Sequence, residues 1–423
     1  MTRMAFSRCF HAFALVIVML LAAHGTTTAA EAPSTQPTDE VKLLIAGLCK
    51  PDLTSKVDAA LQLKEMGVDA VPAIPFLIDN LGNDDDGAPP GYHWTREVYT
   101  PASSASAALE KIIPLACGEG FKYAQAKLAD RNAKLRGNVV SLLPLYGNDA
   151  IPPLLKALKF EGDEDAAEHA LGKLGKAATG PLTGMLNEKI DDDLRRHVLL
   201  ALEYGGDPSA LPFFISAYED KDFHDDWMKV ELGEAICNLA GPDELDRVVS
   251  LLHVKENRTA RAAAKALARI KTKPAIDALF AYVKVDGSPV RAEVVELIAG
   301  LDDPRSVPEV ISAASDHDKT VRLFAVNAMG DRANALFVAP LMSALDDKDV
   351  NVRSQAIPAL VKQKIDRREL FKTVLSKLDD KEPNVQSAAS SALAGITGRH
   401  FGTDKKKWTD WYEAFGDEFK WDE

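Results

Sequence analysis

The chain has 423 residues, with 50 Lys and Arg against 63 Asp and Glu, so it carries a net charge of −13. That excess of acid repels phosphate backbones and argues against nucleic acid as a partner. Hydrophobic residues make up 46% but aromatics only 7%; the apolar share is mostly Ala, Leu and Val, which suits closely stacked helices better than a sheet.

Residues 1–30 read as a secretory signal peptide. Arg3 and Arg8 form a basic start, residues 10–23 are an apolar run, and Thr28-Ala29-Ala30 offers small residues for cleavage. The run is shorter than the ~20 residues that span a bilayer, and no later stretch is long and apolar enough. The expectation is an exported chain, periplasmic or extracellular, with no integral span after cleavage; an uncleaved N-terminal anchor is the alternative. Cys9 leaves with the signal. Cys49, Cys117 and Cys237 remain, without the spacing of a disulfide framework or a zinc site. Cys237, inside an apolar run, reads as a small buried residue. A bridge between two of the three stays open.

Residues 31–38 form a Pro/Ser/Thr-rich linker, and from 39 to 398 the chain settles into a period near thirty. The clearest copies carry Arg261, Arg291, Arg322 and Arg353, spaced 30, 31 and 31 residues apart. In each, apolar residues at three- and four-residue spacing predict a first helix. A Gly, Asp or Pro break follows, then a second helix, often with proline in its first turn; Pro152, Pro181, Pro212, Pro308 and Pro340 fit that place. The second helix closes on leucine and acids, as in Leu345-Asp346-Asp347 and Leu378-Asp379-Asp380. Weaker copies begin near Val57, Ala105, Arg136, Ala166, Arg195 and Lys229. The last copy, around residues 385–396, lacks a full second helix. No useful strand alternation occurs. The reading is an all-α solenoid of eleven or twelve stacked helical hairpins, because one hairpin alone cannot bury its apolar face. Asp318/Arg322 and Asp349/Arg353, four residues apart, read as ion pairs on a helix surface.

The pattern Asp-x-x-Val-Arg-x-x-Ala, a break, then Pro-x-Leu-Ile-x-Ala-Leu resembles HEAT repeats of the phycobilin-lyase-like type. Asp318-Lys319-Thr320-Val321-Arg322 and Asp349-Val350-Asn351-Val352-Arg353 carry it best. The resemblance implies a HEAT-like α-solenoid superhelix whose second helices line the concave face. It is specific for fold and not for function.

Four places invite recognition. An inserted loop over residues 82–106 carries Tyr92 and Trp94; it is either a recognition loop or a solvated one with Trp94 folded against the first repeats. Its adjacent Asp84, Asp85 and Asp86 lack the alternate spacing of a calcium loop. Aligned second helices place Ser216, Ser250, Ser312, Ser343 and Ser376 at one position, with Gly184 and Ala281. That column is either a hydroxyl ladder for an extended ligand or a way for helices to approach closely. Arg258, Arg261, Lys265 and Arg269 share a helical stripe, either solvated or facing an anionic partner. In the C-terminal segment 399–423, Trp408, Trp411, Tyr412 and Phe415 fall at i, i+3, i+4 and i+7. They form either a cap over the last repeat or an aromatic patch for a partner, with Trp408 and Trp411 at its centre.

No His-x-x-x-His, His-Glu-x-x-His, phosphate loop or Gly-x-Ser-x-Gly elbow occurs. Glu168-His169 reads as a polar pair on a repeat helix. The sequence therefore points to no catalytic set, metal or cofactor. It favours an exported scaffold that binds another protein or a peptide. The alternatives are a lyase-like enzyme acting on a tetrapyrrole, by analogy with the family, and a structural envelope component.

Overall fold

Most repeats open where a polar side chain closes the first turn of a helix. Asp52, Thr100, Asn132, Asp191, Asp225, Glu256, Asp318 and Asp349 all accept the backbone N–H two or three residues on. A computed structural model describes residues 37–83, 100–223 and 225–421. Among these the regular elements are all helical, and the fold is an α-solenoid. The chain divides into two compact units, Met1–Pro181 and Leu182–Glu423.

The first unit opens with α1 (Asp39–Leu48). Three pairs follow: α2 (Leu53–Met66) with α3 (Ile74–Asn80), α4 (Pro101–Ile112) with α5 (Phe121–Lys127), and α6 (Ala133–Leu142) with α7 (Ile151–Ala157). Then comes α8 (Glu164–Lys173), and α9 (Lys176–Leu186) contains the unit boundary. First helices stack on first helices, α2 on α4 and α6 on α8. Leu63, Leu77, Leu109, Leu154 and Leu171 are sealed in the core. Helix α1 packs on α2 as α3 packs on α4, so it holds the place of a second helix. No first helix precedes it among the described residues.

In the second unit the pairs are α10 (Asp192–Gly205) with α11 (Leu211–Glu219), α12 (Asp226–Leu239) with α13 (Leu245–Leu252), and α14 (Asn257–Ile270) with α15 (Lys273–Val283). They continue as α16 (Arg291–Ala299) with α17 (Ser306–Ala313), α18 (Lys319–Gly330) with α19 (Val338–Ala344), and α20 (Val350–Val361) with α21 (Arg367–Ser376). The last is α22 (Pro383–Thr397) with α23 (Lys405–Phe415). Stacking is close: a Cβ added at Gly330 would lie 2.8 Å from that of Ala359, so any side chain there forces α18 and α20 apart.

The repeat arginines act differently from the helix-surface reading. Arg291, Arg322 and Arg353 are buried, at 5%, 4% and 7% exposure. Arg322 donates to Asp347, 25 residues on, at 2.7 and 2.9 Å, and to the carbonyls of Asp316 and His317. Arg353 does the same with Asp380 and the carbonyls of Asp347 and Lys348, and Arg291 joins Asp286 to Asp316. Each guanidinium thus ties the turn before its own helix to the turn after the next one. Asp318 and Asp349 are N-caps and are not the partners of Arg322 and Arg353. Asp316, Asp347 and Asp380 each also accept the N–H two residues on, which fixes the carboxylate for its arginine. Arg136 with Asp163 and Arg195 with Asp220 repeat the contact.

Further expectations need correction. Arg261 is not the equivalent of Arg291: the position four after the capping residue Glu256 is Ala260, fully buried, and Arg261 instead meets Glu293 at 3.0 Å. Pro152, Pro212, Pro308 and Pro340 do sit in first turns, whereas Pro181 lies inside α9. The inserted loop ends earlier than residue 106, because Thr100 and Ser103 form a capping box and Pro101 starts α4. The final repeat does have a second helix, which is the aromatic α23.

Candidate functional site

The second-helix column is set by helical geometry. Around four of the serines the residues two before and one after are apolar and buried: Phe214 and Ala217, Val248 and Leu251, Val310 and Ala313, Leu341 and Ala344; Ser376 has buried Val374 behind it and half-buried Lys377 after it. A residue between such neighbours points away from the core. Ser216, Ser250, Ser312, Ser343 and Ser376 are accordingly all exposed, as are Gly184 and Ala281. None of these small residues is buried between helices. Ser250 and Ser343 donate to the carbonyl one turn back, at 2.9 and 3.2 Å, and Ser376 to that of Thr373 at 2.7 Å. Their oxygens keep acceptor capacity toward a ligand. Charges on the same face pair between successive repeats. Arg305 bonds Asp277 at 2.7 Å and covers Phe280 at 4.3 Å, Lys284 lies 3.7 Å from Glu309, and Arg247 meets Glu219.

Of the other candidates, Tyr92 and Trp94 lie outside the described residues. Trp408 and Trp411 are not available to a partner: they are 0% and 8% exposed. Phe371 of α21 is the reason. Trp408, Trp411 and Trp421 surround it at 6.3, 5.7 and 5.5 Å, and Tyr412 stacks on it at 5.1 Å. The Trp408 indole N–H donates to the Gly402 carbonyl at 2.8 Å, and Arg368 donates to the Tyr412 hydroxyl at 2.8 Å. Phe415 alone of that stripe turns outward, at 55% exposure. The aromatic helix completes a hydrophobic interior and presents no aromatic patch.

Three of the four cations of the α14 stripe are engaged within the protein, Arg261 by Glu293 as above, while Lys265 is exposed. Arg258 is held by Glu231 at 2.8 Å and Glu234 at 2.9 Å, and Arg269 donates to the carbonyls of Cys237 and Ala240. Beside this cluster stands a group that the sequence reading passed over. Burial, then the charges of Glu231 and Glu234, push the Glu203 carboxyl up to about 7. Its position at the end of the apolar run 198–202 was the available signal. Cys237 is sealed, with its thiol pushed up to about 12 by burial; Cys49 and Cys117 are exposed, and all three are unbridged. The His169 ring contacts the Asp165 carbonyl at 2.7 Å and lies 3.7 Å from Glu168.

A repeated helical pair with buried inter-turn arginines defines an α-solenoid with HEAT-type repeats. The family of HEAT repeats matches residues 286–360, and that of the PBS lyase HEAT-like repeat matches residues 259–279. Residues 259–279 and 286–360 thus carry HEAT-type repeats. Among solved structures it is similar to Kap95p, captured with RanGDP, at 12% identity over 90% of this chain and 58% of that one, with a TM-score of 0.53. Importin beta is similar at 13% over 89% and 60%, with a TM-score of 0.44. The CpcE–CpcF phycocyanin lyase of Nostoc is similar at 16% over 79% and 98%, with a TM-score of 0.28. The chain spans less than two thirds of Kap95p and of importin beta. Such identities speak for fold alone. No curated protein matches the chain.

Proposed function

We propose that this protein is an exported scaffold that holds another protein, or a peptide, along the outward face of the second helices in the unit from Leu182 onward. The observation that carries the reading is the column of five serines, all exposed at one helical position on five of the six second helices from α11 to α21, with Ala281 of α15 between them. Packed helices lie about 8–10 Å apart, which is about three residues of extended chain at about 3.3 Å each. An extended segment could therefore offer a backbone N–H to the serine oxygen of each repeat that carries one, passing over Ala281. Because the flanking charges pair with each other, the face favours a neutral polar backbone over an anion. Kap95p, of the same fold class, binds RanGDP. Export rests on the basic start, the apolar run and the small residues before position 31.

A photo-crosslinking side chain placed at Ser250, Ser312 or Ser343 of the full chain in its native host tests the reading. One common partner is expected at all three, and none at Gln355, which is exposed on a first helix. No adduct, or the same adduct at Gln355, overturns it. Cell fractionation followed by N-terminal sequencing of the mature chain tests export.

A further inference from the structure

At the N-terminal end of the first unit, among the described residues, no first helix packs ahead of α2. At other joints the flank of a first helix is covered by another first helix, as α2 is by α4 and α18 by α20. On the opposite side of α2, Asp58, Leu61, Gln62 and Glu65 form one stripe at i, i+3, i+4 and i+7. With Met66, and with Glu40 from α1, they line an open groove of about 450 Å³. Leu43, one turn along α1 from Glu40, is 73% exposed, and Leu61 and Met66 are half-buried. Glu40 and Asp58 enter no ion pair among the described residues. Glu65 meets Lys111 at 3.0 Å, yet its side chain stays 71% exposed.

We propose that this groove is a docking site for a basic amphipathic helix of a partner protein. The helix lies where a preceding first helix would pack, seats apolar side chains on Leu43, Leu61 and Met66, and sets lysine or arginine against Glu40, Asp58 and Glu65. Shape and charge both select that occupant. The α2 stripe has the spacing that an adjoining helix packs on. Three carboxylates repel an acidic helix and also the same end of a second copy, whereas they attract a basic one. The groove is a different surface from the serine column, and its failure leaves that reading standing.

The probe is a dye-labelled 14-residue peptide of leucine and lysine at helical spacing, titrated by fluorescence anisotropy against the full chain. Saturable, salt-weakened binding is expected. The double variant Glu40→Lys/Asp58→Lys should weaken it by about tenfold or more, and the isosteric Glu40→Gln/Asp58→Asn severalfold. Leu43→Ser should weaken it too. A control with the same charge change in the second unit, Glu188→Lys/Asp243→Lys, should leave it unchanged. Equal loss in that control would mean bulk attraction and overturns the proposal. So does absence of saturable binding, as when another segment of the chain already fills the groove.

Discussion

Two stretches of the second unit share one hydrophobic pattern and differ in what their polar groups do. From Asp286 to Asp380, buried Arg291, Arg322 and Arg353 clamp each inter-repeat turn to the next. From α10 to α14 the same position holds Arg195, then Lys229, which reaches only the Asp220 carbonyl at 3.3 Å, then Ala260 with nothing to donate. There the charges gather on the helices themselves, where Arg258 serves Glu231 and Glu234 beside the protonatable Glu203. Both stretches stack. Apolar register is therefore enough for stacking, and the arginine clamp is an added constraint on how one turn is aligned with the next.

Breaking the clamp should have the largest effect. Arg322→Ala leaves Asp347 nearly buried without its cation, together with two unsatisfied carbonyls. We expect a loss of about 3–5 kcal/mol in urea unfolding of the full chain. A loss no larger than that of an exposed arginine would mean that the turns hold their alignment without it.

The two stretches should also respond to pH with opposite sign. Arg353 holds the Asp380 carboxyl below its ordinary 3.8, so its stabilisation is present above that value and is lost as pH falls through the lowered one. Glu203 is raised from 4.5 to about 7. The folded chain keeps this proton where the unfolded chain has lost it, so the stabilisation is full below about 4.5 and lost as pH rises through 7. In unfolding midpoints measured from pH 3 to 8, Asp380→Asn should flatten the acid limb and Glu203→Gln the limb between 5 and 8. Parallel curves for Glu203→Gln and the parent chain would remove Glu203 from the account.

The smallest effect is expected at Arg258. Its side chain is 48% exposed, so water screens both of its bonds, and Arg258→Ala should cost less than about 1 kcal/mol. Loss of that cation should also move the neutral limb further up in pH, because the charge of Arg258 lowers Glu203.

Much of the fold was legible because helical periodicity is a local property. The apolar spacing around Val321 or Val352 marks a helix whatever lies beside it, and the breaks at Gly330 or Asp302-Asp303-Pro304 mark its end. The alignment of the serine column was legible for the same reason, since four of the five serines have apolar neighbours two before and one after. Whether the column met solvent or an adjoining helix was not, since small residues also suit tight packing. Trp408 and Trp411 were ambiguous because an aromatic stripe looks alike whether it covers Phe371 or faces solvent. Arg261 misled because a spacing of 30 residues passes for a repeat of 31.

The sequence by itself determined that the chain is a series of paired amphipathic helices, since each helix is encoded within its own dozen residues. Only the tertiary structure decided the partners. Arg322 had an acid four residues behind it and another 25 residues ahead. Folding used the first to cap the helix and brought the second within 2.7 Å. That choice depends on where a neighbouring turn lands, and no local pattern encodes it.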